Sequence, residues 1–166
     1  MPRATIMSTV ITILSACTVV GSASAEWAYI EKKDPFTDAH SSFVLSEANL
    51  NPSNSKEARV IFQCKDKSKF VFTLINADHL GRPDMSLTSM ELRADQKKPI
   101  KIEGYVTTNT NGVMSTNGSA VAKYLDGARK LLLRVYTHDH SMIITEFSLD
   151  GSQEPIRKAM RDCNIN

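Results

Sequence analysis

The stretch Arg129–Cys163 constrains the chain more than any other. Leu131, Leu133 and Val135 fall on one face at period two, and Leu132, Arg134 and Tyr136 on the other. That alternation specifies a strand with one buried face. Thr137 to Ser141 is a polar break of hairpin-loop length. Met142 to Leu149 alternates again, with Ile143, Thr145, Phe147 and Leu149 on one face. The pair reads as an antiparallel hairpin, placed centrally in a sheet. Asp150-Gly151 ends the second strand, and Ser152 is set to cap a helix. In that helix Ile156, Ala159, Met160 and Cys163 form one apolar stripe at helical spacing. About three turns of helix are marginal alone, so the stripe must pack on the sheet.

The N-terminus indicates where the chain folds. Met1-Pro-Arg3 is followed by an uncharged apolar run from Ala4 to Val20, then by Gly21-Ser-Ala-Ser-Ala25. This is the pattern of a secretory signal peptide, residues 1–25, cleaved at an A-x-A site. Leu14-Ser-Ala-Cys17 also matches a lipobox, in which Cys17 would carry lipid and anchor the protein to a membrane. Either route removes Cys17 from the disulfide question and leaves Cys64 and Cys163. Two cysteines in an exported chain read as one disulfide; the alternative is two unpaired buried thiols. The expected location is periplasmic. Loss of Arg3 lowers the formal charge of +2 by one. So small a charge excludes nucleic-acid binding as a class and gives little general attraction to membranes.

Further strands are expected at Glu26–Ile30, Ser42–Ser46, Arg59–Cys64, Lys69–Ile75, Ser86–Arg93 and Pro99–Val106. A short helix is expected from Ser119 to Leu125. Asn49–Lys56 and Thr107–Asn117, rich in Asn, Thr and Ser, read as irregular. The sum is a mainly β domain (α+β) over residues 26–166. Its architecture is an antiparallel β-sandwich or rolled sheet of about eight strands, with one helix before the last hairpin and one at the C-terminus.

Chemistry-bearing candidates are few. His138-Asp139-His140 offers two imidazoles and a carboxylate to a divalent metal, but a protein site needs three or four converging ligands; the competing reading is a solvated turn. Asp78-His79 and Asp38-Ala-His40 are His/Asp pairs with no nucleophile context such as G-x-S-x-G. The carboxylates Glu26, Glu31, Glu146 and Asp150 lack apolar neighbours that would raise a pKa for acid catalysis. Lys97, Lys98 and Lys101, with the Lys65/Lys67/Lys69 turn, are candidates for an anionic glycan or phosphate, or else are charged strand ends that deter edge pairing. Trp27 is a candidate interaction anchor, or else a pin for the first strand. No cofactor and no enzymatic activity are expected. The alternatives are an envelope enzyme using His138, Asp139 and His140, or a cell-wall glycan binder.

Several motifs together resemble the VasI/TagO-like family of type VI secretion accessory proteins. They are Trp27 leading into Asp34-Pro35-Phe36-Thr37-Asp38, the strand Ser42–Glu47, and a third strand ending on Cys64. They continue with Leu92-Arg93-Ala94-Asp95 before Pro99, the late hairpin Ala128–Val135 with Phe147–Gly151, and Pro155–Cys163 at the C-terminus. The resemblance covers most of the mature chain. It implies a non-enzymatic periplasmic role, through contacts with envelope or secretion-apparatus proteins. It implies no catalytic residues.

Overall fold

The computed structural model describes residues 27–46, 49–50, 57–76 and 78–165. Residues 1–25, expected to be a signal peptide, Cys17 among them, and most of the Asn49–Lys56 loop lie outside these residues. The described residues hold ten strands: β1 Ala28–Lys33, β2 His40–Leu45, β3 Asn49–Leu50, β4 Glu57–Lys65, β5 Lys69–Asn76, β6 Leu87–Ala94, β7 Ile100–Val106, β8 Gly112–Ser115, β9 Lys130–Tyr136 and β10 Met142–Ser148. Two helices join them, α1 Gly118–Leu125 and α2 Gln153–Asp162. All pairings are antiparallel, in the order β1-β2-β4-β5-β8-β7-β6-β9-β10, with β3 beside β4.

The fold is therefore mainly β, and of the two expected architectures it is the rolled sheet. It is not closed into a barrel: no ladder joins β10 to β1 or β3 among the described residues. Its two ends nonetheless meet, because the Trp27 indole Nε1 donates to the Ser148 carbonyl at 3.0 Å. The inner face carries the alternating residues that define the strands: Val60, Phe62 and Cys64 of β4, Met90 and Leu92 of β6, Leu131, Leu133 and Val135 of β9, and Ile143 and Phe147 of β10. All are buried.

Three expectations change. The strand count exceeds eight because β3 and β8 form in segments expected to be irregular. In β8, Gly112 makes pairing possible: a Cβ there would lie 2.4 Å from the Leu74 carbonyl oxygen, closer than any side chain tolerates. The late hairpin β9–β10 sits at the end of the sheet, not its centre. Curling of the sheet buries its inner face without a further strand beyond β10. Ser152 precedes α2, but its hydroxyl makes no cap; it donates to the Leu149 carbonyl at 2.7 Å.

The helices fill the curl. Val121, Ala122 and Leu125 of α1 are buried, and the Tyr124 hydroxyl bonds to strand β6 and the Lys98 carbonyl. Helix α2 crosses from β10 to β1, β2 and β4 with Ile156 and Ala159 buried. The Tyr29 hydroxyl donates to Asp162 at 2.6 Å, and Lys158 lies over the Tyr29 ring. Cys163 is joined to Cys64 in a disulfide with Cα atoms 5.5 Å apart. Both cysteines are buried.

Candidate functional site

Strand direction divides the connections between two ends of the sheet. One end gathers the β5–β6 loop, the β7–β8 turn and the β9–β10 turn. The last of these is a three-residue loop of a standard kind. His140 N–H donates to the Thr137 carbonyl, Thr137 N–H donates to Ser141, and His140 takes the left-handed conformation (φ 65°). A type I turn followed by a left-handed residue is a common way to reverse a hairpin in three residues. Asp139 holds the turn closed. Its carboxylate accepts from the Thr137 hydroxyl and from both the backbone N–H and the hydroxyl of Ser141. These bonds, the Thr137 one foremost, hold its carboxyl below the usual carboxylate range.

The β5–β6 loop lies against this turn. His138 N–H donates to the Leu80 carbonyl at 2.8 Å, and Leu80 N–H donates to the Thr110 carbonyl at 2.8 Å. The Arg82 guanidinium reaches the carbonyls of Tyr136 and Thr137. Nδ1 of His79 is 2.7 Å from the Thr110 hydroxyl. Between loop and turn is a cleft of about 560 Å³, its rim formed by Asp78, His79, His138 and Asp139 and its apolar side by Met142 and Ile143. Two separate candidates thus share one cleft: Asp78-His79 and His138-Asp139 are over fifty residues apart in sequence. No sequence signal joined them, because hydrogen bonds between two loop backbones bring them together.

The cleft presents imidazoles and an apolar wall, an arrangement suited to holding a ligand. His140 does not line it, and Asp139 is engaged within its own turn. Among the described residues no three His, Cys, Asp or Glu side chains converge as a metal would require. Asp38 and His40 lie at the opposite end of the sheet, where His40 faces Glu31 at 3.5 Å.

Beside the cleft, exposed apolar residues stand at the strand ends on the outer face of the sheet. Leu87 is opposite Tyr105 across β6–β7, and Tyr136 is opposite Met142 across β9–β10. These four and Met85 account for five of the seven exposed large hydrophobics among the described residues, with Leu87 61% exposed. Further along the same face, Arg134 pairs with Glu91.

The other candidates are structural or dispersed. Trp27 is 6% exposed, so it pins β1 to the core and offers no surface anchor. The Lys97 ammonium donates to the carbonyls of Tyr124 at 2.8 Å and Asp126 at 3.1 Å, at the C-terminus of α1 where a cation is favoured. That use removes Lys97 from a shared patch with Lys98 and Lys101, whose side chains remain exposed. Comparison with protein-family models, curated proteins and solved structures gives no match.

Proposed function

We propose that this chain is an exported, non-enzymatic binding protein that acts through contacts with another protein of the cell envelope, as an accessory of a type VI secretion apparatus. The observation that carries the reading is two exposed apolar pairs, Leu87 opposite Tyr105 and Tyr136 opposite Met142, on the outer face at the strand ends beside the His79/His138 cleft. Methionine and aromatic residues are enriched at protein interfaces, and contiguous exposed apolar surface is uncommon without a partner. The buried Cys64–Cys163 disulfide supports folding in an oxidising compartment such as the periplasm. The motifs from Trp27 to Cys163 that resemble secretion accessory proteins supply the apparatus.

The test replaces Leu87 and Tyr136 with aspartate. Both side chains point away from the core, so the variant keeps its thermal stability and disulfide. Co-purification with the envelope proteins of the apparatus, and substrate release by the secreting strain, are both expected to fall at least tenfold. Unchanged secretion in a strain carrying the stably folded variant refutes the reading.

A further inference from the structure

The opposite end of the sheet carries a second surface of a different kind. The β1–β2 connection, residues 34–39, is tied down by its own backbone. Asp34 N–H donates to the Ala39 carbonyl and Asp38 N–H to the Asp34 carbonyl, both at 2.9 Å. Oδ1 of Asp34 accepts from the N–H groups of Phe36 and Thr37 at 2.7 and 3.0 Å. Lys33 pairs with Asp38 at 2.6 Å. This ordered loop holds Phe36 95% exposed, the most exposed large hydrophobic among the described residues. A phenylalanine held almost wholly in water at the tip of a bonded loop has no role in the core.

The ladders place a row of lysines behind that tip. Lys32 is opposite Ser41, Ser41 opposite Lys65, and Lys65 opposite Lys69, one cross-strand row over β1, β2, β4 and β5. None of the three lysines forms an ion pair with a described residue, although Lys32 stacks over the Phe43 ring. Like charges directly opposite one another, as at Lys65 and Lys69, destabilise a sheet. Lys67, in the adjoining turn, adds a fourth amine. Five acids lie around the row. Asp34 is turned into its loop, Asp38 is paired with Lys33, Glu31 faces His40, Asp162 accepts from the Tyr29 hydroxyl, and Asp66 remains.

We propose that this end of the protein docks on an anionic phospholipid bilayer, with Phe36 entering the boundary between headgroups and acyl chains and Lys32, Lys65 and Lys69 meeting lipid phosphates. A projecting apolar tip with cations set back from it matches the layering of a bilayer, where phosphates lie outside the hydrocarbon. A protein pocket for Phe36 would need surrounding contact surface at the same level, and a protruding tip supplies little. The phospholipid-facing end and the cleft end lie at opposite ends of the strands, so one molecule can engage a membrane and a partner protein together.

Co-sedimentation of the purified protein with vesicles tests this directly. Wild type is expected to bind vesicles containing phosphatidylglycerol, to bind pure phosphatidylcholine weakly, and to be released by salt. Phe36→Ser is expected to lower the partition coefficient by roughly 10- to 100-fold, the effect of withdrawing one buried phenylalanine. The triple variant Lys32→Gln/Lys65→Gln/Lys69→Gln is expected to abolish the preference for phosphatidylglycerol. Comparison between variants cancels any contribution of the N-terminal segment. Equal binding by wild type and Phe36→Ser overturns the proposal. So does failure to bind vesicles while a soluble polyanion such as heparin is retained, which would reassign the lysine row to a polyanion. Capture of a protein through Phe36 without vesicle binding also overturns it.

Discussion

Replacing both Cys64 and Cys163 with alanine isolates the contribution of the clasp. The bridge spans 99 residues. On the chain-entropy model, closing a loop of about 100 residues stabilises by about 4.7 kcal/mol. Helix α2 keeps its other attachments, namely the buried Ile156 and Ala159 and the Tyr29–Asp162 bond. The double variant should therefore fold with α2 in place and lose about 2–5 kcal/mol, a large share of the roughly 5–15 kcal/mol typical of a domain. Urea unfolding followed by circular dichroism measures this. With a slope of roughly 1–3 kcal/mol per molar, the midpoint falls by about 1–3 M, and the slope rises because the unfolded chain without its cross-link exposes more surface. The same shift should follow when wild type is unfolded under reductant. A loss below about 1 kcal/mol would refute the view that closing this loop carries a large share of the domain's stability.

Other substitutions probe single contacts. Burial, with the hydrogen bond to Asp162 next in weight, pushes the Tyr29 phenol up to about 12; the stabilisation this reflects is present below pH 10.0 and is lost as pH rises through about 12. Asp162→Asn should lower that pKa, seen as earlier phenolate absorbance in an alkaline titration. His140→Gly should stabilise by about 0.5–1 kcal/mol, because a left-handed residue with a Cβ costs about 1–2 kcal/mol and glycine returns part of that gain as chain entropy; thermal denaturation reads the change. Gly118→Ala should destabilise by about 1–3 kcal/mol in the same assay, since its Cβ would meet the Phe70 carbonyl oxygen at 2.6 Å.

Periodicity carried most of the fold. Wherever one face of a strand is buried, as at Leu131-Leu133-Val135 and Val60-Phe62-Cys64, alternation marks it in the sequence, and seven of the ten strands among the described residues were legible that way; β1, exposed along most of its length, was read from Trp27 and Tyr29 over Glu26–Ile30 and runs instead from Ala28 to Lys33. Strands β3 and β8 were not: two residues carry no period, and Gly112-Val-Met-Ser is held by ladders on both sides. Strand order was hidden as well. The hairpin β9–β10 shows the same alternation at the end of a rolled sheet as at a centre. The two ionisable pairs of the cleft were each visible, but their meeting depends on the Leu80–His138 backbone bond and on the Arg82 side chain reaching the Tyr136 carbonyl, partners that residue type does not reveal. Lys97 read as part of a surface patch because sequence shows its neighbours in the chain and not the α1 carbonyls it reaches. Phe36, carried as part of a motif, gave no sign that its loop would leave it in solvent.

On the proposed function, the cleft end is where this protein meets its partner. Site-specific photocrosslinking inside the exporting cell tests it most directly, with the reactive side chain placed in turn at Leu87, Tyr105 and Tyr136, and at the exposed Arg93, toward the opposite end of β6, as control. One discrete adduct with an envelope protein of the secretion apparatus is expected from the first three positions and none from Arg93. Absence of an adduct at all three, in cells where the protein is exported and disulfide-bonded, would contradict it.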